Sequence, residues 1–132
     1  MYRFLFLISF LALCGAAQAE TPRQIADAYA AGQGGGFRAS AARGAEFFAH
    51  RFGVSEKMPA CSTCHTDSPL GVGRHAVTGK SIKPLAPAAN AERLSDSAKV
   101  EKWFTRNCKE VVGRDCTPGE KADFMVFLME AR

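Results

Sequence analysis

Cys61-Ser62-Thr63-Cys64-His65 places two thiols and an imidazole within five consecutive residues. That spacing suits covalent attachment of a haem. Two thiols add across two vinyl groups on one edge of the macrocycle, and two intervening residues let a single helical turn meet both. The adjacent histidine then points at the metal. Three other chemistries use cysteines at this spacing. A zinc site wants a second ligand pair of similar spacing, which the eight-residue step from Cys108 to Cys116 does not provide. A thioredoxin-type dithiol wants a preceding strand inside a βαβ unit, and no β-rich run is present. A structural disulfide leaves His65 without a reason. The expectation is one covalent haem c, bonded through Cys61 and Cys64, with His65 as an iron ligand.

The start of the chain sets the compartment. Arg3, the apolar run Phe4 to Leu13 and the small-x-small triplet Ala17-Gln18-Ala19 read as a cleavable signal peptide, residues 1–19, ahead of a mature domain 20–132. The run is too short to span a bilayer. Cys14 raises lipid attachment, but Leu13 stands where a lipobox wants Gly or Ala. The expected location is the periplasm. The net charge is +4, falling to +3 once Arg3 leaves with no acid; such a mild excess fits an acidic partner or an ordinary solvated surface. No basic cluster interleaved with aromatics appears, so nucleic acid is not a partner. In an oxidising compartment the four mature cysteines could instead form a two-disulfide scaffold, the alternative that His65 argues against.

Helices and long loops must position these groups. Thr21-Pro22-Arg23-Gln24 reads as a capping box opening a helix to about Ala31, and a second helix runs from near Ser40 to about Phe52, with Gly44, Phe47 and Phe48 near one face. Ser95 or Asp96 can cap a helix carrying Val100, Trp103, Phe104 and Asn107 at i, i+3, i+4 and i+7. Thr117-Pro118-Gly119-Glu120 opens a last helix with Phe124, Phe127, Leu128 and Ala131 as its apolar stripe. About thirty residues between His65 and Ser95 are rich in Pro and Gly and show no periodicity. A loop of that length needs something to organise it, and haem faces can serve as its core. The layout resembles a small class I-type cytochrome c, an all-α fold of helices and long loops wrapped around one covalent haem.

The sixth iron ligand is less plain. Met58 precedes the attachment site on the same side, and Met125 and Met129 sit on a helix expected to fill the core. His75 follows His65 too closely to reach the opposite face easily, and His50 reads as exposed or structural. Asn107 ends an apolar stripe, where an unsatisfied buried amide would cost about 1–3 kcal/mol. Its partner could be backbone at the helix end or iron. Cys108 follows it directly, and Cys116 is the partner left for Cys108 in an oxidising compartment. That bridge would add about 2–3 kcal/mol in the chain-entropy model and pin the helix end.

Arg106-Asn107-Cys108 and Val112-Gly113-Arg114-Asp115-Cys116-Thr117 resemble the sphaeroides haem protein (SHP) family, small oxygen-binding cytochromes c with an asparagine axial ligand. Thr78-Gly79-Lys80-Ser81-Ile82, Pro84-Leu85-Ala86 and Val100-Glu101-Lys102-Trp103-Phe104 are similar too, so the resemblance spans roughly Ala42 to Leu128. It implies His65 as proximal ligand, Asn107 as distal ligand and a Cys108–Cys116 disulfide. The resemblance also implies a mechanism, which ligand chemistry supports. An amide oxygen is a hard, weak donor that prefers ferric iron, so reduction should free a site for O2 or NO in a pocket lined by Trp103 and Phe104. The resemblance also implies a dihaem cytochrome c and a membrane cytochrome b as electron donors. Alternatives are a simple electron shuttle whose sixth ligand never leaves, and a small haem enzyme acting on NO or O2. An electron-transfer and gas-binding protein is expected rather than a dedicated enzyme. Arg74, Lys80 and Lys83 are candidates for pairing with haem propionates or docking a partner.

Overall fold

Two capping boxes fix where the first and last helices begin. The computed structural model describes residues 20–132, so the expected signal peptide, 1–19, lies outside the described residues. Helix α1 (Pro22–Gln33) starts at Thr21, whose hydroxyl accepts from the Gln24 N–H while Gln24 reaches back to the Thr21 N–H. Helix α5 (Pro118–Glu130) repeats the device with Thr117 and Glu120. Each box satisfies donors that a helix start otherwise leaves orphaned, and proline at the first position costs nothing there. Helix α2 (Ala41–Ala49) is capped by Ser40, and α4 (Ser97–Asn107) by Asp96, which accepts from the Lys99 N–H at 2.9 Å.

Helix α5 is the hub, packed by α1 on one side and α2 on another. A Cβ at Gly44 would overlap the Asp123 carbonyl oxygen and come within 2.7 Å of the Phe127 Cβ, so only glycine allows α2 this close. Asp123, buried beside that crossing, accepts from the Ser40 N–H at 2.6 Å and from Arg43 Nε and Nη2 at 2.7 and 2.8 Å. The core joins Ile25, Ala26, Val100, Met125 and Val126, with Tyr29, Phe104 and Met129 against it. Met125 and Met129 are therefore core residues, as expected.

Several expectations change in detail. Helix α2 ends at Ala49, because His50 turns extended and the Phe52 N–H bonds the Pro59 carbonyl instead. Helix α5 has no single apolar stripe: Ala122, Met125, Val126 and Leu128 are buried, Phe124 and Phe127 half-buried, and Ala131 lies past the helix end. A helix covered from several sides loses its periodicity. The loop after His65 holds a short antiparallel ladder, β1 (Gly73–Arg74) with β2 (Ser81–Ile82), not foreseen in the sequence. Beyond Asn107 the helix continues as one wide π turn, Cys108–Val112, closed by Gly113 at φ 80°.

Candidate haem site

Helix α3 (Ser62–His65) is a single turn, opened by Cys61 and held by the His65 N–H on the Cys61 carbonyl at 3.2 Å. Thr66, at φ 62°, ends it in the left-handed region. The ladder loop folds back on this turn. Gly73 packs on the Cys64 carbonyl where a Cβ would overlap it, and the Ala76 N–H reaches Cys64 Sγ at 3.3 Å. Among the described residues Cys61 and Cys64 have no disulfide partner, and both are half-buried. Burial pushes the Cys61 thiol up to about 11, the reverse of the low value a redox dithiol needs. His65 is held down to about 4, first by burial and then by the Arg93 and His75 charges, so its imidazole is neutral, the form that binds metal.

These residues form one wall of a cleft of about 580 Å³. Val100, Trp103, Phe104 and Asn107 form the facing wall, so the stripe expected from spacing does converge on one space. Phe47, Leu85, Leu94 and Leu128 contribute further apolar surface. Phe104 is fixed from behind by edge contacts with Tyr29 and Phe124, at 5.8 and 5.7 Å between ring centres. Trp103 stands at the mouth, 48% exposed.

Asn107 does not cap its helix: the chain continues into the π turn, and no described group hydrogen-bonds its exposed amide. The helix-end role weighed from the sequence is absent. Cys108 and Cys116, both buried, form a disulfide with Cα atoms 5.7 Å apart. It closes the loop directly after Asn107.

Among the other residues singled out, Lys80, Lys83, Met58 and His75 line the cleft, while Arg74 turns to the Gly79 carbonyl at 3.0 Å. His75 Nδ1 accepts from the Val77 and Thr78 N–H groups and stays on the attachment side with Cys64. His50 lies away from the cleft, beside Phe52. Arg93 was missed. It lines the cleft, half-buried, with Nε on the Pro84 carbonyl and Nη2 on the Lys83 carbonyl, both at 3.0 Å, and burial lowers its pKa. An arginine in an aperiodic loop carries no sequence signal to separate it from a solvated charge.

The donors fit a haem better than a bare ion. Among the described residues no three His, Cys, Asp or Glu side chains converge to hold a metal. One imidazole, two thiols on a single turn and an apolar-walled cleft instead suit a group that brings its own ring of ligands.

The chain is similar to known proteins along most of its length. A family model described as a domain of unknown function (DUF1924) matches residues 35–128. The cytochrome c-type protein SHP of Cereibacter sphaeroides is 46% identical over 129 residues, 97% of this chain and 98% of that protein. The structure of oxidised SHP, described as an oxygen-binding cytochrome c, matches with a TM-score of 0.78 at 45% identity, covering 84% of this chain and 97% of that one. The solution structure of cytochrome c'' from Methylophilus methylotrophus, described as giving insight into haem-ligand detachment, matches at 0.66 and 36%, covering 83% and 92%.

Proposed function

The chain belongs to the SHP family of c-type cytochromes, has their class I-type fold and carries one covalent haem c, and from that premise we propose a periplasmic electron-transfer protein that binds O2 or NO where Asn107 gives way on reduction. Cys61 and Cys64 would hold the haem covalently, and His65 and Asn107 are the residues that would ligate its iron. When bound, the haem supplies a one-electron couple and a coordination position that a diatomic can occupy.

The residues of the chain do the rest. His65 presents a neutral ring nitrogen. Asn107 would offer a hard, uncharged oxygen, a better donor to ferric than to ferrous iron and one that would lower the reduction potential relative to a thioether. Cys108–Cys116 would keep the Asn107 NH2 group in the cleft, where it would be available to donate a hydrogen bond. Trp103 and Phe104 add aromatic surface to the same space. Electrons come from a dihaem cytochrome c and a membrane cytochrome b, a pairing that rests on family resemblance alone.

The observation that carries this reading is the unpartnered Asn107 amide in the cleft, beside its own disulfide. Ferric and ferrous absorption spectra, with and without NO, test it. A low-spin ferric form should become high-spin on reduction and bind NO. A ferrous form that stays low-spin and ignores O2 and NO would leave a plain electron shuttle, whereas turnover of NO or O2 with an electron donor would make it an enzyme.

A further inference from the structure

Asn107 shares its helix face with three side chains that reach one another. Trp103, Arg106, Asn107 and Glu110 stand at i, i+3, i+4 and i+7, and all four line the cleft. Arg106 Nε donates to Glu110 Oε1 at 3.1 Å, and the guanidinium carbon lies 5.8 Å from the centre of the Trp103 ring. The guanidinium is thus held by a carboxylate on one side and an aromatic face on the other.

Where this pair sits matters more than its strength. Arg106 belongs to the last turn of α4, Glu110 to the π turn, and Asn107 lies at their junction. On the protein side the junction is fixed by burial of Val100, Cys108 and Val111. On the cleft side, among the described residues, no other side-chain bond passes from α4 into the π turn. A π turn is a rare single-turn interruption of a helix, found often at functional sites. Moving the wide turn one residue toward the N-terminus swings the Asn107 side chain about the helix axis.

We infer that Arg106 and Glu110 are positioning residues for Asn107. With Trp103 they lock the wide turn in place and set how fast Asn107 leaves the iron. The inference rests on Asn107 being the sixth ligand.

Imidazole binding to the ferric holoprotein reads this rate. At saturating imidazole the observed rate reaches a plateau equal to the rate at which the native ligand departs. The pair is half-exposed, at 56% and 36% of its side chains, so its effect is modest. Arg106→Gln and Glu110→Gln should each raise the plateau about two- to fivefold, the size of an exposed ion pair, and the double variant no further than either alone. Trp103→Leu should raise it less. About 1 M salt should speed the wild type toward the variants and leave Arg106→Gln unchanged, because screening removes only a charge pair that exists. Wild-type plateaus in both single variants, or an undiminished salt response in Glu110→Gln, overturn the inference. Asn107→Ala separates it from the reading beneath it. If that variant loses the plateau while Arg106→Gln and Glu110→Gln match the wild type, only the positioning role falls; if it keeps the plateau, both fall.

Discussion

The two walls of the cleft are built in opposite ways. The attachment wall is local: Cys61, Cys64 and His65 lie on one turn, and the loop that braces it, through Gly73 and Ala76, follows within a dozen residues. The distal wall is tertiary. Asn107 takes its place from a helix packed on α1 and α5, and from a disulfide and a π turn beyond its end. A local wall can be specified by a short motif; a tertiary wall has several places at which it can be loosened without unfolding.

Breaking the local wall should have the largest effect. In Cys61→Ala/Cys64→Ala no thioether can form, so haem should extract into acid acetone, whereas in the wild type it stays with the protein. Next comes Asn107→Ala, which should shift the ferric spectrum toward high spin, leave the ferrous spectrum near wild type and preserve the far-UV circular dichroism. An unaltered ferric spectrum would mean that another residue holds the sixth position. Removing the disulfide as Cys108→Ala/Cys116→Ala should cost about 2–3 kcal/mol in denaturant unfolding. It should also mix high-spin character into the ferric state, a sign that the pin acts on Asn107 and not on stability alone.

The smallest effect concerns pH. Two hydrogen bonds from Arg114, 2.8 and 2.6 Å long, hold the Glu120 carboxyl below its ordinary 4.5. Its contribution to stability is therefore complete above 4.5 and fades as the pH falls through the lowered value of the folded state. Glu120→Gln keeps the capping geometry and loses the charge. It should flatten that part of the acid limb in a plot of Tm against pH, just beyond the disulfide loop, and leave the haem spectrum unchanged.

The same contrast explains what could be read in advance. That Cys61, Cys64 and His65 share one turn was legible because their spacing alone places them there. Both capping boxes and the stripe from Val100 to Asn107 were legible because helix geometry is local. The π turn left no trace in periodicity, since one surplus residue resembles an ordinary helix end; only Gly113 marked its close. Arg93 was hidden because its place in the cleft depends on the Lys83 and Pro84 carbonyls turning toward it. The covering of α5 from several sides erased the stripe that would have described it, and the ladder at Gly73 and Ser81 is too short to leave an alternating pattern.

The last turn of α1 also touches the first turn of α5: the Gln33 amide oxygen accepts from the Gly119 N–H at 2.8 Å, across 86 residues of chain. Cys61, Cys64 and His65 lie between those two helices in the sequence. A chain emerging from its N-terminus presents Cys61, Cys64 and His65 long before α5 exists to close the core. Helix α5 completes the core only after Cys61, Cys64, His65 and Asn107 have all been made.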